Sequence, residues 1–253
     1  MDNRSLGPRV PKALQEGVAL SSQEYSGHLS AEEVGQIPLF ANVSAIVLQV
    51  LVQQQRILSI GVGETLVMQS DWGESVIILL EGIAKVRCFN GDGEELVLAL
   101  VGPGDILGEI AVLDGGSRSA DVISMSLARF LKIPSRSFVG QLNNCPTLCL
   151  NLAKLQAQRL RDLNARFAMQ RSDSTSRVLF ALAYIASKSD VKHDPLSYLP
   201  PLPQGEIAII AGMARETASR VMSKLRSKGD VVVEAGRMRL SSLSPLRKRG
   251  LWA

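Results

Sequence analysis

A change of texture at Pro146 constrains this 253-residue chain more than any other feature. Before it, short apolar runs rich in β-branched residues are broken by glycine: Val76–Leu80, Ala84–Cys88, Leu96–Leu100 and Ala128–Ile133. Between the second and third lies Asn90-Gly91-Asp92-Gly93, whose residues tolerate positive φ and close a tight hairpin. Many short strands separated by turns predict a small antiparallel barrel or roll. After Pro146 glycine disappears until Gly205, and residues 147–170 read as one long helix. A second helix follows over 174–186, then a proline-rich connector from Pro195 to Pro203. The chain is therefore of α+β class, with a β-roll first and helices after it. Residues 1–36 have no sustained apolar period and predict a flexible extension with at most one short helix.

On the long helix, Leu148, Leu152, Leu155, Leu160, Leu163 and Phe167 fall largely on one face. The five-residue step from Leu155 to Leu160 breaks a strict heptad. Such a seam either packs on its own domain or pairs with a second copy in a parallel dimer.

The stretch with the most specific chemistry runs from Pro103 to Ala120. Gly108 lets the backbone approach a ligand closely, and from Ile110 a short helical turn offers free N–H groups to an anion. Arg118, nine residues after Glu109, supplies a planar guanidinium suited to two phosphate oxygens, and Ser119 adds a hydroxyl. A carboxylate at Glu109 repels phosphate, so its better role is to accept hydrogen bonds from a sugar hydroxyl. Phosphate donors beside a ribose acceptor describe a nucleotide. The plainer alternative is a surface ion pair between Glu109 and Arg118.

Near the C-terminus, residues 204–225 read as helix, sharp turn, helix. Ile207, Ile210 and Ala211 face inward, Gly212 supplies the turn, and Val221, Met222 and Leu225 bury the second helix. Arg215, Glu216, Ser219 and Arg220 are left on its other side, and Arg and Glu are residue types that read guanine and cytosine in the major groove. Val231–Val233 and Arg237–Leu240 make a two-stranded wing. Charge agrees, because residues 201–253 hold ten Lys/Arg and four Asp/Glu, whereas residues 1–200 hold eighteen and twenty.

Gly108-Glu109 closing on Arg118-Ser119-Ala120 resembles the phosphate-binding cassette of cyclic-nucleotide-binding domains. The stretch Arg215-Glu216-Thr217-x-x-Arg220 resembles the recognition helix of the cyclic-AMP receptor and fumarate-nitrate regulator superfamily of bacterial transcription factors. With the long helix between them, the resemblance spans about residues 37–243. It implies an extension over 1–36, a cyclic-nucleotide-binding domain over 37–140, a dimerisation helix over 141–172 and a winged helix-turn-helix domain over 173–253. It further implies that Gly108, Glu109, Arg118 and Ser119 bind cyclic phosphate and ribose, with Ile110, Ala111 and Ala120 completing the site. Arg215, Glu216 and Arg220 read bases, Ser219 lies on the same face, and Thr217 contacts phosphate. The implied partners are double-stranded DNA, a second copy of the chain, RNA polymerase, and cyclic AMP or cyclic di-GMP as allosteric ligand, with no prosthetic group. Two departures stand out. Where the cyclic-AMP receptors carry a Thr-Ser pair for adenine, this chain has Leu163-Asn164; Asn164 can both donate and accept, while Asp162 only accepts when ionised. Ala214 also replaces a common capping Ser.

An enzyme acting on a cyclic nucleotide needs a metal cluster or a base, and His28 and His193 lie in the extension and in a connector. Three cysteines, Cys88, Cys145 and Cys149, are too few for a four-cysteine iron–sulfur sensor, and the sensory segment has no histidine for haem. A regulator that keeps the cassette only as scaffold remains a third reading. No apolar stretch is long enough to span a bilayer, and the expected compartment is the cytoplasm, without membrane contact.

Overall fold

The computed structural model describes residues 23–24, 28–190 and 192–250. Its first half is a roll of two antiparallel sheets. One has five strands in the order β1 (Gln23–Glu24), β2 (Arg56–Ile60), β9 (Ala128–Pro134), β4 (Ser75–Glu81), β7 (Ile106–Leu107). The other has four, β3 (Thr65–Val67), β8 (Asp121–Ser124), β5 (Ala84–Phe89), β6 (Glu95–Val101). The four runs expected as strands are β4, β5, β6 and β9, and the Asn90 turn closes β5 onto β6, with Gly93 at φ 79° and its N–H on Asn90 O.

The continuous apolar run in β4 is explained by what covers each face. Ile77 and Leu79 point between the sheets with Ala84, Val101 and Phe130. Val76 and Ile78 point the other way, into a layer with Leu39, Phe40, Leu51, Phe138 and Leu148. Alternate residues of one strand thus serve two cores. The outer layer is built from α1 (Ala31–Gly35), a 3₁₀ turn (Pro38–Phe40), α2 (Ala45–Val52), α4 (Ser135–Asn144) and the start of α5 (Pro146–Met169).

This layer corrects the expected boundary at residue 36. Ser30 caps α1 reciprocally with Glu33, and Val34 is buried in the same core as Leu39 and Leu48. Gln23 and Glu24 pair with Ser59 and Leu58 at the sheet edge. Residues 1–22 of the expected extension lie outside the described residues.

The leucine seam of α5 is also not one face. Leu148 and Leu152 are buried and Leu155 packs beside them, whereas Leu160, Leu163 and Phe167 are 58%, 48% and 69% exposed. Carrying the 148–152–155 spacing onward reaches Arg159, Asp162 and Arg166. The five-residue step therefore marks where the apolar stripe rotates outward and a charged stripe takes the inner side.

Beyond α5, Asp173 caps α6 (Ser174–Ser189) by accepting from Thr175 N and Ser176 N at 2.9 and 3.1 Å. The hydrogen bond from Ser176 is the main reason the Asp173 carboxyl lies below its usual range. Helix α6 is buried along most of its length under α7 (Gln204–Ile210), α8 (Arg215–Ser227), the wing strands β10 (Val231–Glu234) and β11 (Arg237–Leu240), and α9 (Ser244–Arg247). Ile83, Leu100 and Met125 of the roll join this core, so the two halves share apolar packing.

Candidate functional site

The expected ligand segment forms β7, a left-handed Gly108 and α3 (Glu109–Asp114). Gly108 has φ 76°, and a Cβ there would lie 1.8 Å from Arg118 Nη1, so only glycine fits. Arg118 is buried and folded into the cassette. Its Nη1 donates to Gly108 O and its Nη2 to Ser75 O, both at 2.6 Å, while its N–H donates to Asp71 O at 2.8 Å. Burial lowers the guanidinium pKa and the nearby Glu109 and Asp71 carboxylates oppose that shift. The side chain thus staples α3 to β4.

Glu109 is 1% exposed, and Arg118 is not its hydrogen-bonded partner. It accepts from Arg159 Nη1 at 2.7 Å and Gln156 Nε2 at 3.0 Å, both on α5, and Arg159 Nη2 also reaches Ile106 O at 2.6 Å. The surface-pair alternative for Glu109 and Arg118 fails on both burial and geometry. Instead the carboxylate ties the cassette to the long helix.

Beside this pair opens a cavity of about 270 Å³. Ile110, Ser119 and Ala120 line it from the cassette, and Leu98 to Leu100 from β6. Leu155, Arg159, Asp162 and Leu163 line it from α5, while Tyr184 and Lys188 close it from α6. Among the sequence-expected residues, Ser119, Ile110 and Ala120 therefore face the cavity directly. Gly108, Glu109, Ala111 and Arg118 do not line it. Asn164 is exposed and stands off the wall, whereas Asp162 is on it.

The α6 end of the cavity is polar. Lys188 Nζ lies 3.1 Å from Asp105 Oδ2 and 3.8 Å from Asp162 Oδ2. Burial opposes its charge, yet Asp105, Tyr184 and Asp162 together hold its pKa above the ordinary amine value. Tyr184 Oη accepts from Leu100 N at 3.1 Å, and burial raises its pKa. Arg166 donates to the carbonyls of Val97 and Leu98 and sits 5.5 Å over the Tyr184 ring. Gly102 permits this approach, since a Cβ there would lie 1.8 Å from Lys188 O. Arg159, Arg166, Tyr184 and Lys188 escaped the sequence reading. The available signal was that Arg159, Asp162 and Arg166 continue the buried leucine spacing of α5 with charges.

In the second half, α7 and α8 meet at Gly212, which has φ 63°. Ala218, Met222 and Leu225 bury one side of α8, while Arg215, Glu216 and Arg220 are exposed and Thr217 and Ser219 half-buried. Ala214 occupies the cap position and makes no side-chain cap bond. The wing turns through Ala235 and Gly236, both at positive φ. Buried Lys85 of β5 joins the halves: its Nζ donates to both oxygens of Glu206 on α7, at 2.9 and 2.8 Å, and lies 2.7 Å from Glu95.

A roll with a small-molecule cavity, a long helix and an exposed helix-turn-helix together define a ligand-sensing DNA-binding regulator. Family models agree, matching a cyclic nucleotide-binding domain over residues 58–145 and a Crp-like helix-turn-helix domain over 176–249. A cyclic AMP receptor protein from Thermus thermophilus is 31% identical over 177 residues, covering 69% of this chain and 78% of that protein. The structure of FixK2 from Bradyrhizobium japonicum matches with a TM-score of 0.67 at 19% identity, covering 77% of this chain and 96% of the other. That of the cyclic di-GMP-responsive global regulator CLP from Xanthomonas campestris matches at 0.62 and 17% identity, covering 79% and 100%. The chain belongs to the cyclic-AMP receptor and fumarate-nitrate regulator family of transcription regulators.

Proposed function

We propose that the protein is a homodimeric transcription regulator, acting in the cytoplasm, whose affinity for a palindromic DNA site is set by a cyclic mononucleotide. The observation that carries this reading is the cavity of about 270 Å³, because its walls come from the cassette, the long helix and the first helix of the DNA-binding half. A ligand there touches all three elements, so its binding energy can differ between their arrangements, which is what allosteric coupling requires. Ser119 and the adjacent cassette N–H groups take the phosphate. Glu109, once Arg159 gives way, accepts from the ribose. The relative named for cyclic AMP makes that nucleotide the first to test. The volume lies at the small end of ligand pockets and suits one nucleotide better than the two linked in cyclic di-GMP.

Leu160, Leu163 and Phe167 supply the dimer face, since a stripe this apolar and exposed calls for a partner. Asn164 lies one turn beyond Leu160 on that outward side, so any base contact it makes reaches the second copy's ligand. Pairing two copies sets the α8 helices about 34 Å apart on successive major grooves. Arg215, Glu216, Ser219 and Arg220 read bases there, Thr217 binds phosphate, and RNA polymerase is the downstream partner. Calorimetry with cyclic AMP, cyclic GMP and cyclic di-GMP, with and without a DNA site selected from a random library, tests the whole reading. Ligand and DNA are expected to tighten one another by the same factor. Equal DNA affinity with and without every nucleotide overturns the switch in favour of a ligand-independent regulator. A monomer by sedimentation at micromolar concentration overturns the dimer.

A further inference from the structure

A row of alternating charges runs from the end of the cassette, across one face of the four-stranded sheet, to the first helix of the helix-turn-helix. Asp121 opens β8 directly after Arg118-Ser119-Ala120, and its Oδ2 lies 3.6 Å from Arg87 Nε. Arg87 Nη1 donates to Glu95 Oε2 at 3.3 Å, and Lys85 Nζ lies 2.7 Å from Glu95 Oε1. The same ammonium donates to both carboxylate oxygens of Glu206, at 2.9 and 2.8 Å. Carboxylate, guanidinium, carboxylate, ammonium and carboxylate thus follow one another over β8, β5, β6 and α7, with Lys85 buried at 4% exposure. None of the five lines the nucleotide cavity, and none lies on α8.

We propose that Lys85 and Glu206 set the register of the helix-turn-helix on the roll, and that they carry nucleotide binding to it through β5, by a route separate from α5 and α6. This rests on the cyclic-nucleotide reading above. Strand β5 is the shared element: Val86 lines the cavity, while Lys85 and Arg87 leave the opposite face of the strand, where Lys85 meets α7. A ligand that displaces the strand at Val86 therefore displaces the ammonium that holds Glu206. The apolar packing nearby fixes position less sharply. Ile207 of α7 shares a core with Ile83 and Leu100 of the roll, and such contacts are non-directional. The ion pair is directional, because both oxygens of Glu206 reach one ammonium in a single placement of α7. A displaced α7 leaves the buried Lys85 with Glu95 alone and costs the desolvation that Glu206 had offset. Engaged and displaced are thus two discrete arrangements, which is what an element must have to couple two sites. Lys85 and Glu206 act here as positioning residues for the DNA reader.

The quantity to measure is the factor by which nucleotide tightens DNA binding by the full chain. Fluorescence anisotropy on a site selected from a random library, with and without saturating cyclic AMP or cyclic GMP, reads it. For the wild type a factor in the usual allosteric range of roughly 5–150 is expected. Lys85→Met combined with Glu206→Leu replaces the pair by apolar groups, an exchange that buried ion pairs tolerate with little loss of stability, and Glu95 keeps Arg87 as its partner. This double variant is expected to unfold in urea near the wild-type midpoint and to bind nucleotide alone within about twofold of wild type, while its coupling factor falls to about 2 or less. A merely structural role would not separate these readouts. Glu206→Gln, which keeps the size and gives up the charge, is expected to lose part of the coupling, and it decides the matter if the double variant unfolds early. A wild-type coupling factor in either folded variant overturns the proposal and leaves the cyclic-nucleotide reading standing. If neither nucleotide changes the DNA affinity of the wild type, the switch reading falls and this route falls with it.

Discussion

The cassette and the recognition helix both concentrate charge in a short stretch, and they treat it in opposite ways. In the cassette, Glu109 and Arg118 are buried and fully engaged, one with α5 and the other with carbonyls of the roll. On α8, Arg215, Glu216 and Arg220 stand in solvent on a helix whose other side is packed. The difference reflects what each must meet. A small ligand enters a closed site by exchanging partners with groups already held in place. DNA meets an open, convex surface on which any internal pairing would have to be broken first.

If that contrast is right, mutations in the first region cost stability and mutations in the second cost only DNA affinity. The largest effect is expected at the contact joining the two. Lys85→Met leaves the half-buried Glu95 and Glu206 without the cation they share, and a loss of about 3 kcal/mol, the low end for breaking a buried pair, is expected. Urea unfolding checks the value, and an unchanged midpoint would detach the two halves from one another. Next comes Arg118→Ala, which orphans the Gly108 and Ser75 carbonyls and removes a buried charge from between carboxylates. A stability loss of about 3 kcal/mol is expected, on top of any loss of ligand binding. A variant that unfolds like wild type while failing to bind nucleotide would break the comparison, by making Arg118 a ligand residue only.

On the other side of the contrast, Arg215→Ala is expected to weaken binding to the selected DNA site by about 1–3 kcal/mol and relax one base position, with no change in melting temperature. A fluorescence-anisotropy titration at fixed salt, paired with a melting curve, decides it. The smallest effect belongs to the junction of α5 and α6. Asp173→Ala removes the α6 cap at a cost of about 1 kcal/mol. Because the Asp173 pKa is depressed in the folded state, its contribution is present above the unfolded value and is lost as pH falls through the folded one. The stability gap between wild type and this variant should accordingly close in acid, and a gap that persists would assign the loss to packing instead.

Much of this was legible in the residues. The four strand runs, the Asn90 turn, the long helix, the helix-turn-helix and the wing all follow local periods and turn chemistry, and each is found where those place it. Residues 31–36 hold the one short helix that the sequence allowed there, but its burial was not legible, because α1 is fixed by packing Val34 with Leu39 and Leu48 rather than by any periodic signal. The leucines of α5 were misread for a related reason. A helical wheel weights every leucine alike, but only contact with Leu39 and Phe40 tells the inner stripe from the outer one.

The sequence by itself determined which chemistries are present: a glycine that must be left-handed at 108, a guanidinium and a carboxylate in the cassette, and a basic helix near the C-terminus. These are local facts, carried by residue type and spacing. Only the tertiary structure decided who meets whom. Glu109 faces Arg159, fifty residues away, and Lys188 crosses from the DNA-binding half to stand between Asp105 and Asp162. Asn164, whose amide is the better base partner on paper because it both donates and accepts, is turned outward while Asp162 is turned in. The physical reason is that residues two apart on a helix, as Asp162 and Asn164 are, differ by about 200° in direction, and only the docking of the roll and α6 against α5 sets which direction is inside.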